Sequence, residues 1–203
     1  STVRDATLGI ASSSGASASS AAAAPRFASR GGGYSYRVYR SFFYFDTSGI
    51  SADVGSATFK VRGYSQSGGD LIAVKSNAGS SLSGSDLDAI VGWDGSSSNG
   101  SGGGDNESNV TKYSNEISTW STSGYNDITL NAQALADMRD NSSINICLIN
   151  YDYDLKDITP TGSSDNRNGL YFTEYTGTSR DPYIDYTLVP TVSDNAVFFG
   201  TNF

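Results

Sequence analysis

Histidine is absent from all 203 residues, which removes Ser-His-Asp and Cys-His catalysis and every histidine-ligated metal site. Cysteine occurs once, as Cys147, so neither an intrachain disulfide nor a cysteine-rich zinc site can form. That residue lies in the apolar run 144–149 and reads as a small buried hydrophobe, not a nucleophile. Charge is sparse, at 17% of residues, and 13 Lys+Arg against 21 Asp+Glu leave a net charge of −8. This sign opposes binding to the phosphate backbone of nucleic acid and to anionic membrane surfaces. No apolar run approaches the ~18 residues of a membrane span.

What is abundant is glycine, serine, threonine, asparagine and tyrosine, a composition common in extracellular β proteins and virion fibres. The expected location is extracellular, on a cell surface or on a virion. The sequence opens on Ser1, as expected of a processed chain or one numbered from a mature terminus. Four N-x-S/T sequons, at Asn99, Asn106, Asn109 and Asn141, are candidate N-glycosylation sites in a pathway that glycosylates asparagine. The length suits one large all-β domain or two small ones, and a single domain of this size buries roughly 70% of its unfolded surface without metal or disulfide.

Period-2 hydrophobicity dominates the chain. Residues 34–45 (YSYRVYRSFFYF) alternate and then turn fully apolar, as a strand entering a core does. Residues 57–64 (ATFKVRGY) place Phe59 and Val61 on one face and Lys60 and Arg62 on the other. Strands are also expected at 70–75, 113–120, 125–130, 143–153, 170–175 and 183–189, while 86–93 fits a helical turn or a strand. Residues 95–109 (GSSSNGSGGGDNESN) hold too few apolar groups to offset ordering entropy and read as a flexible insertion. One short helix is expected at about 131–139, capped by Asn131, with Ala134, Leu135 and Met138 on its apolar stripe. The fold class is therefore all-β, a jelly-roll β-sandwich with one short helix and extended N- and C-terminal segments. Residues 1–30 are expected to form an N-terminal arm or first strand with a Ser/Ala low-complexity stretch, 31–189 the jelly-roll body, and 190–203 a tail that is a candidate donor strand.

RSFFYFDTSGI (40–50) followed by SATFKVRGY (56–64) resembles the signature of DNRLRE-type domains, and RDPYIDYTL (180–188) is similar to that family's closing strand. The resemblance covers roughly residues 2–189. It implies a carbohydrate-binding-module-like jelly roll, found at cell surfaces, in secreted polysaccharide-active proteins or on phage virions, with no catalytic residues. This chain departs from the pattern in its Ser/Ala stretch, its 95–109 insertion and the tail after Pro190.

Three kinds of chemistry remain. Asp152, Asp154 and Asp157 in YDYDLKD are oxygen donors that could hold Ca²⁺, although alternating Asp and Tyr also suit a solvated strand end. No other cofactor is expected. Asp94, Glu107, Glu116 and Glu174 are available carboxylates, but nothing in the sequence pairs them across a cleft, so no enzyme is expected. Trp93, Trp120, Tyr151 and Tyr153 could stack on sugar rings, or else fill the two layers of the sandwich. The tail residues Ala196, Val197, Phe198, Phe199 and Phe203 form an uncharged apolar segment behind a proline and a polar hinge. Such a segment can add a strand to a sheet edge, and if the acceptor is the next copy the contact is head-to-tail and grows a filament. The alternative is a last strand folded back on its own domain. The expected function is a self-assembling fibre subunit whose partners are copies of itself, the alternative a glycan-binding module or phage adhesin.

Overall fold

The computed structural model describes residues 28–30, 33–35, 38–94, 106–158, 166–173 and 177–190. A short hairpin joins β1 (Ala28–Arg30) to β2 (Gly33–Ser35). The body holds β3 (Ser41–Asp46), β4 (Val54–Gln66), β5 (Leu71–Lys75), β6 (Tyr125–Thr129), α1 (Ala132–Asp140), β7 (Ser143–Asn150), β8 (Asn168–Leu170) and β9 (Tyr183–Leu188). Strands β3 to β9 make two antiparallel sheets. One is ordered β3-β7-β5; the other is built on β4, with β6 along one edge and β9 followed by β8 along the other. This is the expected all-β sandwich with one short helix.

The two sheets bury their strands differently, and the sequence of each strand shows why. In β4, Ala57, Phe59 and Val61 point into the core while Lys60 and Arg62 stay outside, the mark of a sheet with one wet face. In β7 nearly every side chain is buried. Ile144, Ile146 and Leu148 face β4, while Cys147 and Ile149 face the opposite way. In β5, Leu71 and Ala73 divide from Ile72 and Val74 in the same manner. The β3-β7-β5 sheet is thus a middle layer. Phe43 and Phe45 meet Phe59 edge-to-face across the first interface, at 5.0 and 5.6 Å between ring centroids. The second face is covered by irregular chain carrying Ile90, Trp93, Val110, Tyr151 and Leu155.

Helix α1 closes one end of the first core. Asn131 caps it by accepting from the Ala134 amide at 3.1 Å. Ala134 and Met138 are buried as expected, with Leu135 half-buried and Asp137 in the buried set. Among the described residues no helix is long and apolar enough to cross a membrane.

Several strands differ from the expected spans. The 34–45 strand is divided into β2 and β3, because Arg40 turns into a buried ion pair just before β3 starts. Residues 113–120 form no strand; they follow β5 through isolated bridges at Leu71–Ile117 and Val74–Lys112. β7 stops at Asn150, where the chain enters one wide helical turn, Tyr151–Leu155, closed by the Lys156 amide on the Tyr151 carbonyl at 3.1 Å. β8 occupies Asn168–Leu170, short of the expected 170–175. The end of the 95–109 insertion is folded, with the Asn106 amide on the Leu155 carbonyl at 2.9 Å.

Gly63 is required by a close approach: a Cβ there would strike the Ser121 carbonyl, where the 117–121 segment passes β4. The layered packing predicts that Phe59→Ala lowers unfolding free energy by about 3–5 kcal/mol in urea denaturation. Exposed-face Lys60→Ala should change it by less than about 1 kcal/mol. Equal effects would contradict the assignment of faces.

Candidate functional site

The aromatic residues singled out from the sequence do not share a surface. Trp120 is only 6% exposed, belongs to the core between the sheets, and donates Nε1–H to the Gly169 carbonyl at 3.2 Å. Trp93 and Tyr151 lie across the middle sheet, packed against the second core. The Arg40 guanidinium sits 4.0 Å from the Trp93 ring centroid. Tyr151 donates its hydroxyl to Glu107 at 2.9 Å and carries the Lys156 ammonium 4.1 Å from its ring centroid. Tyr153 is half-buried, its amide held by Asn150 Oδ1 at 2.8 Å. Trp120 thus lies between the sheets, while Trp93 and Tyr151 lie on the far side of the middle layer.

The calcium grouping also separates. Asp154 is buried and turns inward, its carboxylate taken by Arg40 Nε at 2.9 Å and Nη2 at 2.8 Å. Arg40 Nη1 completes the cluster with Asp88 at 2.9 Å and the Leu87 carbonyl at 2.7 Å. Burial opposes the Arg40 charge, but the Asp154 carboxylate outweighs it and holds the guanidinium above its ordinary range. Asp154 is therefore a structural counter-ion, and it does not converge on a cation with Asp152 and Asp157. Among the described residues no group of three or more acidic, cysteine or histidine side chains could hold a metal. Burial pushes the Cys147 thiol well up, in keeping with a core residue.

Of the sequons, Asn106 is fully buried, with its side-chain oxygen accepting from the Asp94 amide at 2.9 Å. A glycan there has no room in the folded chain, so Asn106 is a structural residue. Asn109 and Asn141 are exposed. Asn99 lies outside the described residues, as do Ala196, Val197, Phe198, Phe199 and Phe203.

A second polar cluster joins α1 to the sandwich. Asp137 accepts from the Tyr113 hydroxyl at 2.6 Å and from Lys75 Nζ at 2.9 Å. Burial alone would raise the Asp137 carboxyl, but these two donors outweigh it and hold it below the usual range. Tyr113 is pushed up by burial and by the Asp137 carboxylate.

The feature that sequence reading missed is the border formed by β9. It pairs with β4 along one side, and among the described residues nothing pairs with the other. Ile184, Tyr186 and Leu188 share one face by strand alternation, yet only Ile184 reaches the core. Tyr186, Leu188 and the following Val189 are 44%, 46% and 46% exposed. The strand carries a single charge, Asp185, and no lysine to blunt the edge. The strand itself is legible in the YTLV run at 186–189, but that composition does not say whether it lies in a core or at a border. Beside it, the wet face of the β4 sheet holds Tyr125 edge-to-face with Tyr183 at 5.3 Å, and the ion pair of Lys60 with Asp127 at 2.8 Å.

No family model matches the chain, and no curated protein is significantly similar to it.

Two outcomes follow from the polar clusters. Asp154→Ala removes the bidentate carboxylate from the buried Arg40 charge and should cost about 3–5 kcal/mol in urea denaturation; a loss below 1 kcal/mol would contradict the pairing. Because the Asp137 pKa is depressed in the folded chain, its contribution is present above the ordinary carboxylate range. It is lost as pH falls through the depressed value. Asp137→Asn should remove about 2 kcal/mol at neutral pH and less at low pH, so the variant's stability falls less steeply on acidification. Parallel acid limbs for the two proteins would contradict it.

Proposed function

We propose that this protein is a non-enzymatic structural β-sandwich that joins copies of itself head to tail by strand addition. The donor is the apolar tail containing Ala196, Val197, Phe198, Phe199 and Phe203, and the acceptor is the open side of β9 in the next copy. The observation that carries this reading is β9 itself, whose outer side pairs with nothing among the described residues and which carries half-exposed Tyr186 and Leu188, followed by Val189. An added strand would satisfy that backbone and cover those side chains. Burying the three contributes on the order of 3–5 kcal/mol before ordering costs. A head-to-tail contact does not close on itself, so repetition gives a filament. The composition, the exposed sequons Asn109 and Asn141, and the resemblance to DNRLRE-type modules support a place outside the cell, on its surface or on a virion.

Light scattering on the full chain and on a chain ending at Pro190 tests this directly. The full chain should form large particles, the shortened one should run as a monomer, and Leu188→Lys in the full chain should reduce particle size by placing a charge on the acceptor. Monomers from both lengths would overturn the reading, as would particles that persist without residues 191–203.

A further inference from the structure

The wet face of the β4 sheet brings tyrosine rings together in pairs. Tyr125 opens β6 and Tyr183 opens β9, and these strands flank β4 on opposite sides. Tyr125 stands opposite Arg62 and Tyr183 opposite Lys60, and the two rings meet across β4. Their centroids lie 5.3 Å apart with the planes at 75°. A second pair, Tyr64 with Tyr171, lies at 5.4 Å and 76°. We propose that Tyr125 and Tyr183 are a site of oxidative modification, joined as dityrosine by hydrogen peroxide acting through a peroxidase.

The reaction needs two phenols within reach and an oxidant that takes one electron from each. Each phenol gives up an electron and its hydroxyl proton, leaving a phenoxyl radical with spin on the carbons ortho to oxygen. The two radicals couple through a new ortho C–C bond. Each of those carbons then loses its hydrogen as a proton and each oxygen regains one, which restores both aromatic rings. The two electrons and two protons released overall reduce one hydrogen peroxide to two waters.

The geometry favours this coupling. Rings already in contact make it unimolecular, where separate radicals would have to meet. An edge-to-face pair needs a turn of one ring to bring two ortho carbons together, and the outer torsion of tyrosine is broad and soft. Tyr183 is 44% exposed, which gives room for that turn and access for the oxidant. Tyr125 is the fixed partner, its hydroxyl reaching the carbonyls of Ser179 at 3.0 Å and Asp181 at 3.2 Å. Burial, with Tyr183 and Asp181 beside it, raises the Tyr125 phenol above its ordinary range, so it enters the reaction neutral.

Competing targets are shielded. Cys147 and Met138, the one cysteine and the one methionine, are buried in the cores. Trp120 is buried, and Trp93 lies beneath the Arg40 guanidinium. In the second tyrosine pair, Arg180 sits 4.6 Å from the Tyr171 ring centroid, and a cation over a ring opposes removal of an electron from it. Among the described residues no cation stacks on Tyr125 or Tyr183.

The consequence is mechanical. β9 is held by its ladder with β4 and by Ile184 against the core. A bond from Tyr183 to Tyr125 staples the start of β9 to β6. A chain with a single cysteine can form no internal disulfide, and this bond is a covalent closure of another kind. It lies within one chain, so it stands whether or not β9 accepts a strand from another copy.

The test is mass analysis of the full chain after treatment with hydrogen peroxide and a peroxidase in dilute solution. The monomer, isolated under denaturing conditions, should be two hydrogens lighter, and fragmentation of its peptides should place the new bond between Tyr125 and Tyr183. That link should exceed one between Tyr64 and Tyr171 several-fold. Tyr125→Phe should abolish it. Tyr183→Phe should do the same at a half-exposed position that tolerates the change, which keeps the test valid if Tyr125→Phe unfolds. Tyr64→Phe should leave the link at the parent's level. The proposal is overturned if the monomer keeps its mass, or if its bond joins other residues in place of these two. A mass loss that persists undiminished in Tyr183→Phe would overturn it as well.

Discussion

The Arg40 side chain has no exposed surface and still carries its charge, which is possible only because Asp154, Asp88 and the Leu87 carbonyl meet it on three sides. Asp154 lies 114 residues from Arg40 in the chain, and Asp88 lies 48 away. One guanidinium therefore ties the entrance of β3 to the wide turn after β7 and to the loop ahead of Trp93. Those segments cover the far face of the middle sheet. Each partner alone would be a costly buried charge, and together they fix where the irregular layer sits.

That requirement follows from the middle sheet itself. β3, β7 and β5 carry apolar side chains on both faces and need two covers. The first is the β4 sheet, whose inward residues alternate with a wet face. The second is irregular chain with few ladder hydrogen bonds of its own, held by Arg40 and by the Asn106 amide on Leu155. Both covers are complete around β7, and the incompleteness is at the border. β9 extends the β4 sheet past the reach of the core, so Tyr186 and Leu188 share the face of Ile184 without sharing its burial. Among the described residues, β9 is the border strand on which exposed apolar side chains continue the inward face of a core residue.

How much of this was legible in the sequence depended on whether the signal was local. The alternation at 57–64 identified β4 because a half-buried strand repeats every two residues, and the unbroken apolar run after Ser143 marked a strand buried on both faces. Asn131 marked the start of α1 through its own capping bond. The ends of strands were less visible. Residues 113–120 carry large side chains at core positions, Tyr113 and Trp120, and hydrogen-bond to Leu71 and Ala73 of β5 without keeping a regular ladder; burial alone does not make a strand. The places of Trp120 and Asp154 were hidden for a related reason. What Trp120 and Asp154 do is set by Gly169 and Arg40, partners far along the chain that spacing cannot disclose. The exposure of β9 was hidden too, since Tyr-Thr-Leu-Val reads alike at a border and in a core.

The claim that β9 is an edge completed by another copy is tested most directly by hydrogen exchange at its amides. Measurements on the full chain would compare dilute solution with concentrations at which particles form. The account predicts that the β9 amides facing away from β4 exchange fast in dilute solution and become protected as particles grow. Equal exchange at both concentrations, despite particle formation, would contradict it.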